Sequence, residues 1–236
     1  MKIITWNCNM AFRKKAEFIL AQKPDILVIP ECECPDKLKF NSDIPVPTDI
    51  LWYGTNKNKG LGVFSYSSLR FKLLEDHQPD FKTILPIAVT GGKVDFTLLA
   101  IWANNPEDID PYIGQIWKSI NHYDNLLSGK NIILIGDFNS NTIWDKKHRG
   151  GDHTTVVEFL KRKDIHSTYH EFFGAVQGKE ENSTLFMYRH ENKPHHIDYC
   201  FASSYFMKKL KDVSVGNYRD WKEYSDHTPL IITFDL

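Results

Sequence analysis

Asp137 and Asn139 follow the apolar run Ile132-Ile133-Leu134-Ile135 in the stretch NIILIGDFNSNT, a carboxylate and a carboxamide two positions apart. On an extended chain alternate residues point the same way, so both side chains face one side if the strand continues. Taken alone, the pair also suits an Asx-type turn that closes a strand. Four more segments repeat the pattern: Asn7 in TWNCN after a first strand, Glu31 after ILVIP, Asp198 inside HHIDYCFAS, and Asp226-His227 before the last strand in EYSDHTPLIITF. Each by itself reads as turn chemistry or a solvated strand end. Together they read differently. Buried carboxylates cost several kcal/mol unless they meet cations or donors, so a convergence of them makes a site for a hard divalent cation.

The elements that must bring these residues together are short and rich in β-branched and aromatic residues. Strands are expected at 2–6, 26–30, 61–66, 84–90, 94–102, 131–135, 185–189, 196–202 and 230–234. Helical spacing of apolar residues appears in AFRKKAEFILAQK (Phe12, Ala16, Ile19, Leu20), in PYIGQIWKSINHYDNLL (Ile113, Ile116, Trp117, Ile120, Leu127), and in TTVVEFLKRK, capped by Thr154 or Asp152. Gly91-Gly92 predicts a two-residue hairpin and hence an antiparallel pair. Strand–helix–strand units at 2–30 and 94–136 predict crossover connections. Both signals fit mixed sheets covered by helices, in a single domain over 1–236. The segments 34–50 and 54–60 read as loops.

Composition narrows the class. With 29 Lys and Arg against 30 Asp and Glu the net charge is −1, so no global field attracts a polyanion and any nucleic-acid contact must come from local basic clusters such as Lys57/Lys59 and Lys146-Lys147-His148-Arg149. Four cysteines at irregular spacing do not make a disulfide framework, and the C-x-C of Cys32 and Cys34 is too tight for a zinc knuckle. No signal-peptide pattern or membrane-length apolar run is present. A cytoplasmic protein with no membrane association and no obligate protein partner is the expectation.

In order and spacing, TWNCN, PDILVIPECE, GDFN, IDY and SDHTPL resemble the endonuclease/exonuclease/phosphatase superfamily, the DNase I-like fold, from Lys2 to Phe234. The resemblance implies a four-layer α/β sandwich, two mixed β-sheets packed face to face with helices outside and a site at one edge. It also implies phosphoester cleavage with Mg²⁺ or Mn²⁺. Carried over by motif, Glu31 is a metal ligand with Asn7 and Asp226 beside it, and Asp137 orients or deprotonates the attacking water. Asn139 holds that water or the phosphate, His227 faces a phosphate oxygen, and Asp198 fixes the tautomer of His227.

One departure from the family pattern concerns Trp102. In AIWANNPED it stands about where the family commonly places a His or Tyr, and an indole cannot protonate a leaving group. The substrate side then falls to Trp102, Asn104 and Asn105, with His148 and Arg149 of the loop after GDFN as further phosphate contacts and His195/His196 as substitutes. Trp52, Tyr53, Trp144 and Trp221 read either as packing residues or as base-stacking platforms, with Trp144 the one nearest the catalytic loop. The leading reading is a nuclease acting on DNA or RNA. A phosphatase or phosphodiesterase for a small phosphorylated or lipid substrate is the alternative, and a non-catalytic binding module is a third.

Overall fold

The computed structural model describes residues 1–41, 44–104, 111–145 and 151–236. Its strands are β1 (Lys2–Thr5), β2 (Ile26–Cys32), β3 (Asp49–Asn56), β4 (Lys59–Ser65), β5 (Arg70–Leu73), β6 (Ile84–Thr90), β7 (Phe96–Trp102), β8 (Ile132–Asp137), β9 (Ile165–Ser167), β10 (Leu185–Phe186), β11 (Pro194–His195), β12 (Asp198–Ser203), β13 (Leu210–Val215) and β14 (Leu230–Phe234). Two six-stranded mixed sheets result, one ordered β13-β14-β1-β2-β4-β3 and the other β5-β6-β7-β8-β12-β9, with β10 and β11 as a separate ribbon. Both expected crossovers are there: β1 runs parallel to β2 and β7 parallel to β8.

Strand alternation builds the layers. Ile3, Val28 and Val63 of the first sheet and Leu98, Ala100, Ile133, Ile135 and Cys200 of the second fill the space between the sheets. Their sequence neighbours face outward. Leu99, Ile101, Ile132, Leu134 and Phe201 pack under the helices Ile113–His122 and His153–Arg162, and Ile4, Trp6, Leu27 and Ile29 pack with Ala16 and Ile19 of the helix Ala16–Leu20. Among the described residues no helix is long and apolar enough to cross a membrane.

Several expectations need correction. Strands β6 and β7 are antiparallel, but β7 begins at Phe96, so the connection is 91–95 rather than a two-residue turn. Gly91 has φ 85 and its missing Cβ would meet the carbonyl of Ser68 at 2.6 Å, so it serves close approach to the neighbouring segment. The stretch 54–60 is the tip of a hairpin between β3 and β4, not a loop, because Trp52 and Tyr53 carry β3 through Gly54 to Asn56. The strand expected at 185–189 stops at Phe186 and turns into a 3₁₀ helix, with Tyr188 at φ 58. The first helix is split into a 3₁₀ turn, Phe12–Lys14, and the short helix Ala16–Leu20, and the segment 111–127 divides into Ile113–His122 and Asp124–Leu127. Asp152 caps the later helix by accepting from the Thr155 N–H at 2.8 Å. Strands β3, β5, β9, β11 and β13 were not foreseen; β5, β9, β11 and β13 are short or partly exposed and carry little alternation.

Gly136 is the residue that lets β8 run on to Asp137. It has φ 147, and a Cβ there would lie 1.8 Å from the Ile101 carbonyl oxygen on β7. Gly136→Ala is expected to destabilise the fold by about 3 kcal/mol through backbone strain and displacement of β7. Urea denaturation measures this, and a loss below about 1 kcal/mol would mean that the two strands part without cost.

Candidate active site

The polar residues that follow the apolar strands gather at one edge of the sandwich, and alternation explains most of it. Asp137 lies in phase with Ile133 and Ile135, Asp198 with Cys200 and Ala202, and Trp102 with Leu98 and Ala100, all on the face turned toward the other sheet. Register then sets them in a row: Trp102 is the partner of Asp137 across the parallel pair, and Asp198 is its partner across the antiparallel one. Asn7 has the parity of Ile3 and projects from the first sheet into the same gap. Its Nδ2 donates to Asp137 Oδ2 at 2.9 Å.

Glu31 breaks the rule. Alternation along β2 would place it outward with Leu27 and Ile29, but a bulge between Pro30 and Cys32 leaves it unpaired at φ 60. The bulge re-aims the side chain toward Asn7, whose Nδ2 is 3.4 Å from Oε1. On its other oxygen Glu31 meets the Lys59 ammonium at 3.3 Å, and that ammonium lies 5.1 Å over the Trp102 ring.

Asp137 is fully buried. Its Oδ1 accepts the Asn139 N–H at 2.9 Å, the Asx geometry, while Oδ2 accepts from Asn7 and, at 3.0 Å, from Asn139 Nδ2. The turn and the site are therefore one arrangement. Asn139, at φ 48, is held further by donation to the Ala103 carbonyl at 3.0 Å. Burial, and then the facing carboxylate of Asp198, push the Asp137 pKa up to about 7 against the opposing pull of His227 and the two donors.

His227 Nδ1 lies 2.8 Å from Asp198 Oδ2 in a buried pair. Burial alone would lower the imidazole pKa, but Asp198, with Asp137 and Asp226, raises it to about 10, so the ring is an imidazolium at neutral pH and Nδ1 donates. The other oxygen of Asp198, Oδ1, is buried without a hydrogen-bond partner among the described residues. Ligand atoms of Asp137, Asp198 and His227 lie within 4.8 Å of one another, a spacing that could hold a metal ion. Asp226 stands to one side, accepting from Asn9 Nδ2 at 2.9 Å.

Sequence reasoning missed the residues that lock this edge. Ser225 Oγ donates to the Asn7 carbonyl at 2.7 Å and accepts the His227 N–H at 3.0 Å. Trp6 Nε1 donates to the His227 carbonyl at 3.0 Å. Thr184 Oγ1 accepts the Asp198 N–H at 3.0 Å, and its carbonyl accepts the Thr228 N–H at 2.8 Å, so the segment before β10 ties Asp198 to the His227 segment. The serine of SDH was in view as part of the motif and Lys59 as part of a basic cluster, whereas nothing local marks Thr184.

The expected substrate-side residues fare unevenly. Trp102 is 5% exposed, a wall of the site. Asn104 borders a cavity beside it. Asn105, His148 and Arg149 lie outside the described residues. His195 contacts Trp144, and His196 packs against Tyr169 and Tyr199 behind the sheet. Trp52 and Trp221 are packing residues, while Trp144 is 41% exposed. Cavity size is a poor guide here: a larger hollow of about 560 Å³ sits at the opposite end of β8 and β12, around Asn131 and Ser203, away from all the site carboxylates.

A family model described as the Endonuclease/Exonuclease/phosphatase family matches residues 4–227. Among solved structures, an AP endonuclease from Archaeoglobus fulgidus is similar with a TM-score of 0.72 at 16% identity, and a 3′-5′ exonuclease (NExo) from Neisseria meningitidis with 0.67 at 23%. A 3′ phosphatase NExo from Neisseria bound to product DNA hairpin gives 0.67 at 22%; in all three cases 100% of each chain is covered. At these identities the likeness is one of fold, the DNase I-like sandwich. No curated protein matches the chain.

Both buried shifts have the same sign for stability: the folded site holds protons that the unfolded chain releases. The His227 contribution is complete below its ordinary value of 6.5 and is lost as pH rises through about 10. Asp137, raised from 3.8 rather than depressed, adds a penalty that grows as pH climbs to about 7. Urea denaturation in EDTA is therefore expected to show stability from this site falling from about pH 4 to about pH 10. Asp198→Asn should flatten that slope. Near neutral pH it should cost about 2 kcal/mol net, since breaking a buried pair costs more than the relieved repulsion from Asp137 returns.

Proposed function

The chain belongs to the endonuclease/exonuclease/phosphatase family, and from that premise we propose a divalent-metal-dependent phosphodiesterase, a nuclease acting on DNA or RNA. The observation that carries this reading is the buried Asp137–Asp198–His227 group with Asn7 and Asn139 on Asp137. It supplies a base, an oriented imidazolium and amide donors within one small gap. That set suits attack of water on a phosphorus more than it suits a covalent nucleophile.

A divalent cation fits the edge on two grounds. Asp198 Oδ1 is a buried oxygen without a partner among the described residues, and the Asp137–Asp198 repulsion would be relieved by positive charge. By donor type, Glu31 with Asn7 and Asp226 suits Mg²⁺ or Mn²⁺, beside the Asp137–Asp198 pair whose unanswered charge Asn7 borders through its contact with Asp137. Those three bring oxygen atoms, and the Glu31 side chain is 19% exposed, so water ligands can reach it. His227 has its Nδ1 committed to Asp198 and carries a proton, which argues against an imidazole ligand. When bound, the cation supplies polarisation of a phosphoryl oxygen and stabilisation of the leaving oxyanion.

The chain's own residues do the rest. Asp137, as the carboxylate, accepts a proton from the attacking water, and a pKa raised toward neutrality makes it a stronger base than an ordinary aspartate. The side-chain amides of Asn139 and Asn7 both donate to Oδ2 of Asp137, with their other N–H groups turned to the Ala103 carbonyl and to Glu31, so they fix the carboxylate in place for the attacking water. His227, held at Nδ1 by Asp198, presents Nε2 to a non-bridging oxygen and meets the charge that grows there. Trp102 forms the wall and transfers no proton.

Asp137→Asn and His227→Ala are expected to lower kcat by roughly 10²–10⁴-fold with the fold intact. The assay offers plasmid DNA, abasic duplex, RNA and bis-p-nitrophenyl phosphate, each in Mg²⁺, Mn²⁺ or EDTA. A wild type that cleaves none of them overturns the enzyme reading. Cleavage confined to bis-p-nitrophenyl phosphate would replace the nuclease by a small-ester phosphodiesterase.

A further inference from the structure

A second hollow opens beside the catalytic row, of about 180 Å³, between the β3–β4 hairpin tip and the ends of β6 and β7. That is below the roughly 300–1,000 Å³ of sites that enclose whole small molecules, so its occupant is one group of a larger ligand. Lys59 and Lys82 line it with Thr55, Asn56, Trp102 and Asn104, and among the described residues the lining has no carboxylate.

The details point to an anion. Lys59 is shared between the two places: its ammonium reaches Glu31 at 3.3 Å and also borders the hollow above Trp102. Lys82 comes into the hollow from a position with φ 47, a left-handed conformation that a lysine adopts only at a cost. The next residue holds it there, since Thr83 Oγ1 donates to the Trp102 carbonyl at 2.7 Å and the Trp102 N–H returns to the Thr83 carbonyl at 2.9 Å. Asn56 accepts the Asn58 N–H through Oδ1, which leaves its NH₂ to donate. A stacked base is disfavoured, because Trp102 is almost wholly covered and its face is taken by Lys59.

Distance sets the relation to the reaction. Trp102 and Asp137 are register partners on adjacent strands, so about 5 Å of backbone separates the wall of the hollow from the catalytic carboxylate. We propose that this hollow is a subsite for a second phosphate of the same substrate, next to the phosphate that is cleaved. The proposal rests on the phosphodiesterase reading for the neighbouring site. It assigns the enzyme to substrates carrying two adjacent phosphates, as a polynucleotide or a phosphorylated strand end does, over isolated phosphodiesters. Lys82 is the specificity residue, and Lys59 couples the subsite to Glu31.

Isothermal titration with Mg²⁺ present compares thymidine 3′,5′-bisphosphate with the 3′- and 5′-monophosphates. The bisphosphate is expected to bind at least about tenfold more tightly than either, the worth of one charge-assisted contact. Lys82→Glu should abolish that ratio and Lys82→Arg should keep it, with thermal melting to show that each variant is folded. Equal binding of the three ligands, or a ratio that survives Lys82→Glu, overturns the subsite whether or not the protein hydrolyses anything. A preserved ratio without any phosphoester hydrolysis leaves the subsite standing and removes the enzyme reading alone. Competition by d(pTpT) but not by d(TpTpT) identifies the bound group as a terminal phosphate, and competition by both identifies it as a backbone phosphodiester.

Discussion

Two carboxylates, Asp137 and Asp198, face each other as register partners on adjacent strands, both shut off from water. Like charges placed so would separate the strands unless something answered them. The donors at this edge do so in part. Asn7 and Asn139 crowd Asp137 with amide hydrogens, His227 meets Asp198 with a proton on Nδ1, and what is left over shows as a raised carboxyl pKa and an Asp198 oxygen with no hydrogen-bond partner among the described residues. The residual imbalance is what makes the edge receptive to a cation and makes Asp137 basic. Function here is the part of the electrostatic conflict that folding does not resolve.

The same contacts hold the sandwich together at this end. Asn7 and His227 come from the first sheet and its flanking segment, Asp137 and Asp198 from the second, so both buried pairs cross the gap between sheets. Ser225, Trp6 and Thr184 fasten the backbones that carry them. Behind β8 and β12 a second polar layer keeps the loop after Asp137 in place. Asn141 donates to the Tyr199 hydroxyl at 3.0 Å and to Glu180 at 3.1 Å, and Ser140 pairs at 2.8 Å with His153. Burial first of all lowers the pKa of His153 to about 4, so that ring acts as a neutral partner and adds no charge behind the carboxylates. Apolar packing can close two sheets on each other, but it cannot choose which residues meet at their rim. These directional contacts do.

Much of this was legible in the chain. Period-two alternation in Ile132–Asp137 and Asp198–Ser203 fixes that Asp137 and Asp198 share the face of their inward neighbours, and the ordered motifs point to the family and the fold. The hairpin at 49–65 was harder to read, because its tip is written in Lys, Asn and Gly, the residues of a loop, while its pairing depends on Trp52 and Tyr53 lying against β4. Thr184 was invisible for a related reason. Its partners are fourteen and forty-four positions away, and no local pattern reports such distances.

The sequence by itself determined which groups exist and on which side of each strand they begin, since side-chain direction follows from the backbone period. Tertiary structure decided the facts that period cannot carry. A bulge with φ 60 turned Glu31 from the outer face to the inner edge, and Gly136, lacking a Cβ, allowed β7 to come close enough for Trp102 and Asp137 to share a row. Lys59 and Lys82, remote in sequence, became neighbours across a hollow that neither strand contains alone. The physical reason is the same throughout: alternation is a property of one strand, whereas register, bulges and charge balance belong to pairs of strands and exist only after they have met.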